Sequence, residues 1–232
     1  MMGFLLDARL HAAASFVRKG SAVCDVGTDH GLLAVWLLLN GITDRVTACD
    51  INKKPLSAAA QTARKYGTDG RLRLRLSDGL SAVPAEEAED IIVCGMGGEL
   101  IAKIISECPY AKEKQRRLIL QPMTQVPYLR RFLYGAGFAI LTEQPAADRG
   151  HLYTVLHCAY TGERREIDDL FALVGKMPQA PEKEAAQWLL HESHRLSRIA
   201  AGLASGGRPE EAARYDALSR QIAAYAEKEA FI

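Results

Sequence analysis

The residues best placed to do chemistry are Asp29 and His30, near the end of Val23-Cys24-Asp25-Val26-Gly27-Thr28-Asp29-His30-Gly31. An apolar strand there runs into a tight glycine turn. A strand-to-helix turn that receives a pyrophosphate keeps its backbone bare, so that N–H groups and a helix N-terminus can close on the anion. Asp29 would repel that anion. The carboxylate suits a ligand with a cationic group beside the turn, and S-adenosylmethionine carries an ammonium and a sulfonium but no phosphate. The turn therefore reads as one built for methyl transfer. The competing reading is a generic glycine-rich loop in which Asp29 and His30 are first-turn helix residues.

The elements that position this turn follow from periodicity and punctuation. An amphipathic segment over Asp7–Val17 leads into a strand at Ala22–Val26, and the apolar run Leu32–Leu39 reads as a nearly buried helix. A second strand, Val46–Cys49, ends at Asp50, and a helix follows from Pro55 to Tyr66, with proline near its first turn, where the missing N–H costs nothing. Leu72, Leu74 and Leu76 alternate with arginines to give a third strand, closed by Ser77-Asp78-Gly79. Asp90–Cys94 is a fourth strand, Gly95-Met96-Gly97-Gly98 a second glycine turn and Glu99–Glu107 a helix. Leu118–Gln121 is a fifth strand, followed by a helix over Val126–Tyr134. Phe138–Glu143 and Leu152–Tyr160 are then strands separated by Pro145–Gly150, with no room for a helix, so they form an antiparallel hairpin at the sheet edge. Five βα repeats closed by such a hairpin give an α/β fold that differs from a plain doubly wound dinucleotide fold and is similar to the Rossmann-like seven-strand sheet of class I methyltransferases.

Beyond Thr161-Gly162 the pattern is helical. Leu189, Leu196 and Leu203 share one stripe, Tyr215, Leu218, Ile222 and Tyr225 another, and Gly206-Gly207-Arg208-Pro209 breaks between them. Two antiparallel helices packed like a short coiled coil are expected. Glu192 and Ser193 interrupt the first stripe, so another face or the main domain must cover Trp188. The expected division is a catalytic domain over 1–161 and a small helical domain over 162–232.

In an open parallel sheet the ligand lies outside the carboxyl ends of the strands. Here those ends are polar throughout: Gly27-Thr28-Asp29, Asp50, Ser77-Asp78-Gly79, Gly95-Met96-Gly97-Gly98 and Gln121-Pro122. Asp50 follows the first turn at roughly the 20-residue spacing at which an acid accepts ribose hydroxyls. Asp78 falls where an adenine amino group can donate to it. One acid at one strand end can be a helix cap, but acids or glycine turns at successive strand ends point to a bound nucleoside.

Arg71, Arg73 and Arg75 lie on one face of the third strand. They read either as a solvated edge or as a phosphate-contacting stripe. The five cysteines form no CxxC pair and have no histidine at metal-ligand spacing, so no zinc site is expected. Cys94, just before the second glycine turn, is a candidate alkylation handle lining the pocket.

Asp25-Val26-Gly27-Thr28-Asp29-His30-Gly31, Cys49-Asp50-Ile51-Asn52, Leu76-Ser77-Asp78-Gly79-Leu80, Cys94-Gly95-Met96-Gly97-Gly98 and Leu120-Gln121-Pro122-Met123, in that order and with a helical tail, resemble the bacterial tRNA adenine-22 N1-methyltransferases, the TrmK family. The resemblance spans nearly the whole chain. It implies S-adenosylmethionine as cofactor and a tRNA adenine as acceptor. By the same resemblance Gly27, Asp29 and Gly31 border the methionine moiety, Asp50 the ribose and Asp78 the adenine amino group, with Asp25, Thr28, Ile51 and Gly79 also counted among the cofactor-binding residues. Gly95, Met96 and Gly97 complete the cofactor wall. Gly98, Gln121 and Pro122, with Arg71, Arg73 and Arg75, fall to the RNA side, and Asp29 and His30 are the catalytic candidates.

The composition, 48% hydrophobic and 25% charged with a net charge of +1, is that of an ordinary globular protein. The longest apolar run is far below the roughly 20 residues of a spanning helix, and the amino end lacks a signal layout. A cytoplasmic protein with no membrane span, no metal and no evident partner protein is expected. An enzyme acting on a small metabolite and a non-catalytic adaptor remain as alternatives. The near-neutral charge speaks mildly against RNA, whereas a protruding helical pair suits the grip of a large folded RNA.

Overall fold

A computed structural model of the chain describes residues 4–180 and 184–229. Seven strands form one sheet in the order β3-β2-β1-β4-β5-β7-β6: β1 (Val23–Val26), β2 (Val46–Asp50), β3 (Leu72–Leu76), β4 (Asp90–Gly97), β5 (Arg117–Thr124), β6 (Phe138–Asp148) and β7 (His151–Tyr160). The first five are parallel, and β7 inserts antiparallel between β5 and β6. Strand order reverses between β1 and β4, so their carboxyl ends open the crevice in which such sheets bind ligands.

The helices cover both faces. α1 (Ala8–Ser15), α2 (Leu32–Leu39) and α3 (Lys53–Lys65) enclose one core with Val23, Val46, Ile92, Ile119 and Val155. α4 (Gly98–Glu107) and α5 (Val126–Gly135) enclose the other, with Val26, Ile91, Val93, Leu118 and Leu120. Neighbouring strand residues such as Ile91 and Ile92 thus serve opposite cores, as the period-2 geometry of a strand requires. α1 packs across β5, β7 and β6, with the Phe16 ring stacked 5.1 Å from that of His157.

The hairpin differs from expectation. Pro145–Asp148 continue β6, with Pro145 opposite Thr154 and Asp148 opposite His151, which leaves only Arg149 and Gly150 as the turn. β6 is the sheet's edge, where a proline's missing N–H breaks no ladder. Arg149 (φ 47°) and Gly150 (φ 80°) are both left-handed, the requirement of a two-residue type I′ turn. β4 and β5 also run further than their apolar stretches, through register shifts between Cys94 and Gly97.

Past β7 come α6 (Asp169–Val174), a 3₁₀ turn at Met177–Gln179, α7 (Glu184–Ser205) and α8 (Pro209–Glu229). Ser193 is buried, and its hydroxyl donates to the Ser219 carbonyl while the Ser219 hydroxyl donates to that of Ser193, both at 2.9 Å. The break in the leucine stripe is therefore a polar clasp between α7 and α8. Trp188 is covered from the sheet side, with the Arg130 guanidinium 5.9 Å from its ring centre.

Candidate active site

The Gly27–Gly31 turn and the end of β4 border a cavity of 670 Å³. Asp25, Gly27, Thr28, Asp29, His30 and Gly95, all expected at the site, line it. Asp25 is buried at the end of β1, and loss of solvation pushes its carboxyl up to about 6, with only the Thr28 hydroxyl lowering it. Asp29 and His30 are exposed and approach each other at 3.5 Å.

The opposite wall was not legible in the sequence. Asp7 and Arg9, at the start of α1, line the cavity together with Arg149, His151 and Tyr153 from the hairpin tip. Arg9 Nη1 donates to Gln121 Oε1 at 2.8 Å, and Nη2 lies 3.3 Å from Asp7 Oδ2. No spacing rule links Arg9 to a strand that begins more than a hundred residues later. Their meeting follows from α1 lying across β5.

The ends of β2 and β3 lie beside this cavity on the same edge of the sheet rather than inside it. Asp50 accepts the Asn52 N–H at 2.7 Å, Ile51 is exposed and Asp78 is exposed. Gly79 is half-buried against Ile104. A ligand that enters the cavity with one end must cross these strand ends with the other to meet all the acids.

Several expected contacts are replaced by packing. Gly31 is buried, and a β-carbon there would stand 2.8 Å from the Ala59 β-carbon, so this residue lets the turn approach α3 rather than lining the cavity. Gly98 is buried as well, and a β-carbon on it would meet the Gln125 carbonyl oxygen at 2.5 Å. Its glycine brings the β4 and β5 turns together and offers no surface to a substrate. Met96 and Gly97 are half-buried, with the Met96 methyl group lying over Gly27. Pro122 is buried.

Gln121 is wholly buried and saturated: its carbonyl oxygen accepts from both Arg9 and the Gly95 N–H, and its amide donates to the Pro122 carbonyl and the Met123 sulfur. It orders the wall instead of touching RNA. The arginine stripe is also engaged. Arg73 and Arg75 converge on Glu87, and Arg71 pairs with Asp44, so carboxylates hold the charges assigned to phosphate contacts. Cys94 lines the cavity and is half-buried, and burial together with the nearby Asp25 charge pushes its thiol up.

These residues fit a nucleoside with a cationic tail. A buried carboxylate steadied by one hydroxyl gains from an ammonium beside it, and acids at the β1, β2 and β3 ends would repel phosphates. Among the described residues no group of three His, Cys, Asp or Glu side chains is arranged to hold a metal ion. No described helix is long and apolar enough to cross a membrane.

Comparison with known proteins agrees. The family described as "Methyltransferase domain" matches residues 6–156. The tRNA (adenine(22)-N(1))-methyltransferase of Bacillus subtilis is 31% identical over 76% of this chain and 74% of its own length. Streptococcus pneumoniae Sp1610 in complex with S-adenosyl-L-methionine superposes with a TM-score of 0.81 at 25% identity, covering 94% of this chain and all of that one. M. capricolum TrmK with S-adenosyl-homocysteine gives a TM-score of 0.79 at 24% identity, over 96% of this chain and all of that one.

Proposed function

The chain belongs to the tRNA (adenine-22-N1)-methyltransferase family, and on that premise we propose that it methylates N1 of adenine 22 in bacterial tRNA with S-adenosylmethionine as donor. The observation that carries the reading is the buried, cation-free Asp25 facing a cavity at the β1–β4 crevice, in a fold shared with a relative that binds this cofactor. The small-metabolite and adaptor alternatives lack such support, because the alignment with the tRNA-modifying relative extends over most of both chains.

S-adenosylmethionine, when bound, supplies an electrophilic methyl group for in-line attack by the adenine N1 lone pair. Since that lone pair is already available, positioning dominates the acceleration. Asp25 and Asp29 hold the ammonium side, Asp50 the ribose and Asp78 the adenine of the cofactor. The second glycine turn offers an exocyclic amino group only backbone groups and the Met96 thioether, so that role falls to His30, or to Asp29 in place of its ammonium contact, at the cavity mouth. Either Asp29 or His30 can take up the amino proton made acidic by alkylation at N1. The target base must leave its stack, at a cost of a few kcal/mol that contacts elsewhere on the RNA offset.

Residues 162–232 supply those contacts in this reading, as a helical unit beside the catalytic domain. Support comes from a groove of 320 Å³ between the hairpin tip and α7, lined by His151, Gln187, Leu190, His191 and His194. His151 also lines the main cavity, so this one residue borders both. Incubation with labelled S-adenosylmethionine and bacterial tRNA lacking the modification, followed by nucleoside analysis, tests the function. Label in 1-methyladenosine is expected, and label only in small metabolites would refute it.

A further inference from the structure

One arginine borders the main cavity in a backbone conformation that does not suit it. Arg149, the first residue of the β6–β7 turn, is left-handed (φ 47°), where an ordinary side chain is strained and Asn or Gly sits at little cost. Among the described residues one other non-glycine, Gln125, has a positive φ. Arg149 is also 90% exposed, and its ion-pair partner Asp148 stands 3.9 Å away, beyond hydrogen-bond length. The turn thus carries a misfit residue whose guanidinium keeps its donors free, at the rim of the cavity.

The charges around that cavity give such an arginine a task. Asp7, Asp25, Asp29 and Asp148 line it against two guanidinium groups, those of Arg9 and Arg149. Arg9 is already held between Gln121 and Asp7. A nucleotide whose base leaves its stack and enters the cavity brings its own phosphates to the rim, where the exposed Asp29 repels them. We propose that Arg149 binds a phosphate flanking the target adenosine and so holds the unstacked nucleotide with its base in the cavity. The contact rests on the proposed methylation of tRNA and supplies it with a backbone anchor beside the reacting base. A planar guanidinium with free donors matches the oxygens of a phosphate. A two-residue turn closing a paired hairpin holds the arginine at a fixed place on the rim, as positioning requires.

In Arg149→Asn the KM for tRNA should rise about 10-fold, the Kd for S-adenosylmethionine should stay unchanged, and the slope of log Kd for tRNA against log salt should become shallower by about 1. Asparagine suits the left-handed turn, so the same variant should melt about 2–4 °C higher, which separates a lost contact from a damaged fold. Arg149→Lys keeps the charge without the planar fork and should retain part of the affinity. Transfer RNA carrying a neutral methylphosphonate at either phosphate flanking the target adenosine supplies the second arm. The wild type should lose affinity at one of the two positions, and Arg149→Asn should be indifferent there. An unchanged KM for tRNA, or a methylphosphonate penalty of equal size in both proteins, would overturn the contact. A matching rise in the Kd for S-adenosylmethionine would overturn it by making Arg149 a support of the cofactor wall. A wild-type protein that leaves tRNA unmethylated refutes the proposed function itself, an outcome distinct from an active enzyme that ignores Arg149→Asn.

Discussion

Arg130 Nη2 stands 2.6 Å from Glu143 Oε2, with both side chains wholly buried. The pair joins α5 to β6, and Arg130 Nη1 also donates to the carbonyls of Ala172 and Leu173 in α6. One guanidinium thus fastens the chain leading to the helical hairpin onto the sheet. Removing one partner strands a buried charge, so Glu143→Gln should lower the stability by about 3–5 kcal/mol in urea unfolding. The paired Arg130→Met, Glu143→Leu variant should recover most of that loss. A single variant as stable as the wild type would show that the pair does not hold the two parts together.

In the proposed cofactor site, the raised carboxyl of Asp25 should make cofactor binding depend on pH. Its value in the fold, about 6, lies above the ordinary aspartate value of about 3.9 expected in the unfolded chain. Between the two the native state binds more protons, so ligand-free stability falls as pH rises through that window and levels off above it. Ammonium binding has the opposite slope, because the attraction exists only once the carboxylate is ionised. Calorimetry should find affinity for S-adenosylmethionine rising as pH passes through about 6 and a proton released on binding below it. Asp25→Asn should flatten the profile. A pH-independent affinity in the wild type would remove Asp25 from the ammonium contact.

Asp29 has two candidate roles that kinetics distinguish. It sits 84% exposed at the cavity mouth beside His30, a position suited to holding an ammonium and poorly suited to strong general-base work. Asp29→Asn is expected to raise the KM for S-adenosylmethionine about 10-fold with kcat nearly unchanged. A fall in kcat with KM held would assign Asp29 to the adenine instead.

Glu87 anchors the edge of the sheet. Hydrogen bonds from Arg75 hold its carboxyl down at about 2, against the opposing effect of burial and with help from Thr47. Because this value lies below the unfolded one, its stabilisation is fully present above about pH 4.3 and is lost as pH falls towards 2. Glu87→Gln should cost about 1–3 kcal/mol at neutral pH and flatten thermal stability between pH 4 and 2. Arg73→Ala, which loosens the same cluster, should leave the KM for tRNA unchanged. A clear rise in that KM would return the arginine stripe to the RNA-binding surface.

What the sequence by itself determined is local. Strand β1 and helix α2 follow from apolar runs and glycines, the acids at 25, 29, 50 and 78 from their place at strand ends, and the hairpin from the absence of room for a helix. These signals work because periodicity and turn chemistry act over a few residues. Only the tertiary structure decided which side chains share a cavity. Arg9 meets Gln121 because α1 crosses β5, Gln121 turns inward because two donors saturate its oxygen, and Glu87 claims Arg73 and Arg75 from the loop before β4. Ser193 looked like a flaw in a leucine stripe until α8 placed Ser219 opposite it. The partners lie from 12 to 112 residues apart along the chain, and their proximity is a product of packing that no local pattern encodes.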